Sequence, residues 1–148
     1  MKWVTRARPK TDRIACPWLI RRFIDPEAEF VYVPTDEVLA IAAAEEGRSF
    51  DTPGADYTHR GNKCSFEVLI DDFDLGRDQA LVRLAGIVHA ADIDTELHTD
   101  PLGPGLQAIG VGGLDVEADD HTLLARAMFV YDALYSWCQK NPELGVAQ

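Results

Sequence analysis

Apolar positions recur along the chain in two rhythms, and the change between them divides a sheet-forming front from a helical back. Short runs of β-branched and aromatic residues predict strands at 2–5, 30–33 and 49–51. Between the first two, a helix is expected over 17–24. Pro17 would be its first residue, where a missing N–H is harmless, and Asp25-Pro26 would stop it. Asp36 is placed to cap a further helix that runs to Glu46 and ends at Gly47. Thr52-Pro53-Gly54 reads as a turn.

From residue 64 onward the helical period dominates. A helix over 64–73 would take Ser65 as its cap. In the next, over 78–91, Leu81, Leu84, Ala85 and Val88 share one face. Residues 101–113 are rich in Gly and Pro and predict a loop with one helical turn at 106–109. The last helix, 119–140, carries an apolar stripe of Leu124, Ala127, Met128, Tyr131, Leu134, Tyr135 and Cys138. Its twin acids Asp119 and Asp120 suit a helix N-terminus, and Asn141-Pro142 ends it. The expected fold class is α+β: a small β-sheet with a helical bundle, the long C-terminal helix packed across the core. With 148 residues, no repeat and no linker-like tract, the chain fits a single domain, 1–148.

Charge changes this picture in one respect. The net charge of −11 argues against nucleic acid as a partner for the domain as a whole. Yet residues 1–22 hold seven of the 14 basic side chains and one acid, so that segment is basic while the remainder is strongly acidic. Most of these cations are expected to be solvated or paired with acidic helices. A few arginines could instead match a small oxyanion. No apolar run is long enough to cross a bilayer, and the basic N-terminus is not followed by the apolar stretch of a signal peptide. The expectation is a cytoplasmic protein whose cysteines, Cys16, Cys64 and Cys138, are free thiols.

The candidate chemistry lies in scattered metal-type ligands. His89 and Asp92, three apart on a helix, share a face next to the apolar stripe. His59 and Glu67 flank the start of the preceding helix. Two imidazoles with one or two carboxylates suit a divalent metal ion such as zinc, iron or manganese. The bland alternative is a hydrogen-bonded His89–Asp92 pair at a helix surface. Cys16 would be the N-cap of a helix beginning at Pro17, a position that lowers a thiol pKa. A buried, inert cysteine is the preferred reading, because no base lies near it in sequence. Asp120-His121 opens the last helix, where the acid is a cap and His121 a further ligand or a proton carrier.

The strings KWVTR, DRIACPWLIRRFIDPEAEFVYVP, THRGNKCSFE, IVHAADID, DDH and YDALYSW resemble the ChrB C-terminal domain family along nearly the whole chain. That resemblance implies chromate resistance. Longer members carry an N-terminal region and are regarded as chromate-responsive regulators of an efflux operon. This chain resembles the C-terminal part standing alone, so DNA-binding regulation is not expected of it. The family is also described as exported, which the N-terminus here does not support. The polar motif positions fall on Asp12, Arg13, His59, Arg60, Glu67, His89, Asp92 and His121, with no established mechanism attached.

The resulting expectation is a domain of chromate or oxidative-stress resistance acting on a small anionic ligand such as chromate. His59, His89 and Asp92 would hold the metal, with Glu67 as a fourth ligand or general base. Asp12 would serve the chemistry, and Arg13, Arg60 and His121 would bind the anion. A metal-dependent enzyme, a noncatalytic oxyanion sensor and an accessory regulatory module are all consistent with this set, as is a homodimer. Metal content separates the first from the other two.

Overall fold

The computed structural model describes residues 1–142. Among them, strands β1 (Lys2–Arg6), β2 (Glu29–Val33) and β3 (Arg48–Ser49) form a parallel sheet in the order β2-β1-β3. Val4 pairs with Val31 on one side and with Ser49 on the other. The alternation of β1 explains what each face meets. Trp3 points into the main core with Phe30 and Phe50, whereas Val4 points to the opposite face, against Val38 and Ala42 of helix α2 (Val38–Ala44). The sheet thus lies between α2 and a larger helical layer, and the fold is α+β as the sequence pattern predicts.

The β1–β2 crossover is helix α1 (Asp12–Leu19), which continues as a wider turn, Ile20–Ile24. This corrects the expected start at Pro17. The helix begins five residues earlier, so Pro17 lies inside it and Cys16 is not its N-cap. An interior proline leaves the carbonyl four residues back without a donor. That carbonyl belongs to Arg13, and the Tyr32 hydroxyl of β2 donates to it at 3.4 Å. The wider turn follows directly, with Asp25 N–H reaching Ile20 O at 2.7 Å.

The helical layer comprises α3 (Ser65–Asp72), α4 (Gln79–Asp92), α5 (Gly103–Val116) and α6 (Asp120–Lys140). Asp78 caps α4 by accepting from the N–H groups of Ala80 and Leu81, and Asp119 caps α6 through Thr122 N–H. Cys64, not Ser65, is the N-cap of α3. The stripe on α6 packs inward: Leu124, Met128, Tyr131 and Cys138 are buried, and Ala127, Leu134 and Tyr135 pack against the core. Trp18 anchors this contact. It is buried, stacks on Phe66, and donates from Nε1 to Asp132 of α6 at 2.7 Å. Fully burying a large apolar side chain contributes about 1.5–3 kcal/mol or more, so these contacts outweigh the exposed ion pairs.

Helix α5 replaces the loop expected at 101–113. Pro104 sits in its first turn, where it is tolerated. Two of its glycines serve packing. A Cβ on Gly103 would lie 2.6 Å from Leu97 O and 2.8 Å from Ala90 Cβ, and one on Gly110 would lie 3.1 Å from Thr11 Oγ1. Close approach to α4 and to the start of α1 therefore requires these residues, and tertiary contact outweighs their poor helix propensity. Among the described residues, no helix is long and apolar enough to cross a membrane.

Candidate metal centre

The site forms where the carboxyl end of the sheet meets the N-terminus of α3. Past β3, Phe50 N–H still donates to Val4 O, and Asp51 follows with φ of +51°. Aspartate tolerates that left-handed conformation, which turns the chain away from the sheet. Asp12 arrives on the first turn of α1 just after Thr11, held at φ +42° although β-branched residues avoid such values. His59 comes from the loop before α3. There the Arg60–Lys63 turn closes through two backbone bonds, with Gly61 at φ +59°. Asp92 ends α4.

These four side chains converge. His59 Nε2 lies 3.1 Å from Asp92 Oδ2, 3.7 Å from Asp12 Oδ2 and 3.7 Å from Asp51 Oδ1. Asp12, His59 and Asp92 each offer a ligand atom, all within 4.8 Å of one another. Asp12 is fully buried and accepts the backbone N–H groups of Ser65 at 2.8 Å and Phe66 at 3.2 Å, the free donors at the start of α3. Asp51 accepts the Ser65 hydroxyl at 2.7 Å and faces two guanidiniums, Arg6 at 3.4 Å and Arg13 at 3.5 Å.

Electrostatics at this point are unfavourable for so many acids. Burial pushes the Asp12 carboxyl well above the usual carboxylate range, and the charges of Asp51 and Asp92 push it further. Its two amide bonds pull the other way and lose to desolvation. Asp92 is raised for the same reasons, burial first and then Asp51, against the opposing pull of His59 and the Asp12 backbone N–H. A cation bound among these oxygens would remove the conflict. The donor set, two or three carboxylates and one imidazole, suits zinc, iron or manganese.

Glu67 and His89 belong to a second group. His89 Nδ1 lies 2.6 Å from Glu67 Oε1, and Cys64 N–H donates to the same oxygen at 3.0 Å. Cys64, Glu67 and His89 again place one ligand atom each within 4.8 Å of the others. The four expected ligands are therefore divided between two groups: His59 and Asp92 in one, Glu67 and His89 in the other. Helix α4 serves both from its last turn. Of the residues expected to bind an anion, Arg13 joins the first group. Arg60 instead forks onto Asp72 at 2.8 Å through both terminal nitrogens, and His121 packs edge-on against Tyr32.

Cys16 is buried, and its thiol points to Asp12 Oδ1 at 3.7 Å. Burial followed by the Asp12 charge raises its pKa, so it is held as a thiol. Sequence reasoning missed Asp51, Ser65 and Arg6. The available signal was an acid at a strand end directly before Thr52-Pro53-Gly54, in the position where parallel sheets bind ligands. Next to the group opens a cavity of about 430 Å³, lined by Arg6, Asp51, Thr52, Pro53, Gly54, Thr58 and His59.

Comparison with known proteins matches residues 3–138 to the family described as ChrB, C-terminal domain. The chain is 36% identical over 135 residues to Protein ChrB of Cupriavidus metallidurans, an alignment covering 91% of this chain and 40% of that protein. The chain thus spans well under half the length of this curated relative. No solved structure matches it.

Proposed function

The chain belongs to the ChrB C-terminal domain family, and from that membership we propose that it serves chromate resistance by binding a small oxyanion at a divalent metal. Asp12, His59 and Asp92 hold the ion, and Asp51 with Arg6 and Arg13 shapes the anion side. The observation that carries this reading is the convergence of His59 Nε2 on three carboxylates beside a cavity that Arg6 also lines. With all three carboxylates ionised, as metal ligands must be, two guanidiniums leave the centre one charge negative. A divalent cation makes it one positive, which converts a site that repels oxyanions into one that attracts them. The metal would polarise an anion oxygen, and guanidinium groups match the remaining oxygens geometrically.

Binding, rather than turnover, is what the geometry supports best. Asp51 is the acid that lines the cavity, and its oxygens already face Ser65, Arg6 and Arg13. Oxygens so engaged hold neighbouring side chains in place rather than reaching toward a bound anion. This favours an oxyanion sensor over an enzyme. The cytoplasm suits the reading, because the cysteines of the described residues are free and buried.

Calorimetric titration tests it, using chromate and, as a non-oxidising tetrahedral dianion, sulfate. Both should bind protein loaded with zinc or manganese and should not bind metal-free protein. Arg6→Ala should weaken both in the loaded form. Equal anion affinity with and without metal contradicts the proposal.

A further inference from the structure

We propose that Cys64, Glu67 and His89 form a second, sulfur-bearing site for a thiophilic divalent cation, with zinc as the best fit. Cys64 is the N-cap of α3 and fully buried, so its sulfur is fixed at the mouth of a helix rather than loose in the core. Glu67 lies one turn further along the same helix, and His89 faces both from the last turn of α4. Thiolate, imidazole and carboxylate are the three ligand types zinc accepts together. Three protein ligands leave a fourth position for water.

Two further features point to a ligand. His89 reaches Glu67 through Nδ1, and its Nε2 lies 4.0 Å from Glu96 Oε1, beyond direct hydrogen-bond reach. A carboxylate on the side of the non-ligating nitrogen would orient the ring on closing to hydrogen-bond distance. In addition, a cavity of about 270 Å³ reaches Glu67 from the surface, bordered by Lys63, Val82, Ala85 and Gly86. Gly86 lies inside α4, where glycine costs about 1 kcal/mol relative to alanine, yet a Cβ there would meet nothing within 4 Å. It borders that cavity three residues before His89.

This site is independent of the oxyanion reading in its chemistry but touches it structurally. Cys64, Ser65 and Phe66 are consecutive, and Asp12 is held by the last two. A metal on Cys64 would therefore stiffen the segment that positions Asp12.

The test is titration of metal-free protein with Co²⁺, followed by zinc competition. Cobalt bound by a thiolate gives a charge-transfer band that oxygen and nitrogen ligands do not give. The band should persist in Cys16→Ser and Cys138→Ser, and in Asp92→Asn, where the other centre is disabled, it should saturate with one equivalent. It should vanish in Cys64→Ser and His89→Gln, both with native far-ultraviolet circular dichroism. Glu96→Gln should weaken the site about tenfold. If Cys64→Ser does not fold, His89→Gln and the other two cysteine variants decide. No band in the wild type, a band lost in Cys16→Ser or Cys138→Ser, or one surviving in Cys64→Ser or His89→Gln overturns the proposal. Failure of the Asp12–His59–Asp92 centre would leave the band unchanged, so the two readings fail separately.

Discussion

Asp12 and Ser65 are 53 residues apart, yet the Asp12 carboxylate accepts the Ser65 backbone N–H at 2.8 Å in the buried centre of the molecule. One side chain thus joins the first turn of α1 to the first turn of α3, and the candidate metal centre is built on that joint. Its oxygens satisfy amides that would otherwise be orphaned, and they also crowd two further acids.

That crowding has a pH signature. Asp12 and Asp92 both have folded-state pKa values above the unfolded carboxylate value of about 3.9. Between that value and their raised ones, the folded state binds more protons than the unfolded state. Stability of the metal-free protein should therefore fall as pH rises through this window. Asp92→Asn removes one of the repelling charges and should make the metal-free protein more stable at neutral pH. Thermal unfolding across pH checks both statements. A wild-type stability that rises steadily over the window would contradict them.

Two glycines of α5 should respond in opposite directions to alanine. Gly103→Ala forces a methyl against the Leu97 carbonyl and Ala90, and should destabilise by about 1–3 kcal/mol. Gly112 has open space around the same position, so Gly112→Ala should stabilise by up to about 1 kcal/mol through helix propensity alone. Denaturant unfolding of the pair measures the contrast. Similar shifts for both would mean that α5 does not pack as described.

Helix α6 should prove integral to the fold. Leu124 is buried, and Leu124→Ala should cost about 2–5 kcal/mol. Phe129 is 75% exposed on the opposite side, and Phe129→Ala should stay within about 0.5 kcal/mol of the wild type. An unchanged midpoint for Leu124→Ala would make the helix peripheral.

The sequence made some of this legible and hid the rest for physical reasons. Local period was enough for β1, β2, α4 and α6, because each buries one face and its pattern repeats. It failed at α5, where the signal for a loop, Gly and Pro, is the means by which a helix packs close to Gly103 and Gly110. It failed at α1 because the proline that seemed to start the helix is accommodated by a hydroxyl from another strand, Tyr32. The three-residue spacing of His89 and Asp92 did place both on the core side of α4. It did not reveal that α3 begins between their partners, so that one side chain meets Glu67 and the other His59. Asp51 escaped notice because its partners, Arg6, Arg13 and Ser65, come from three separate segments.

The central claim is that Asp12, His59 and Asp92 hold a divalent metal, and anomalous diffraction from crystals grown with zinc or manganese tests it most directly. The account predicts an anomalous peak about 2.0–2.2 Å from His59 Nε2 and from one oxygen each of Asp12 and Asp92, if the ion is zinc, and no such peak in Asp92→Asn. Crystals of metal-saturated wild-type protein with no anomalous density between these three side chains would contradict it.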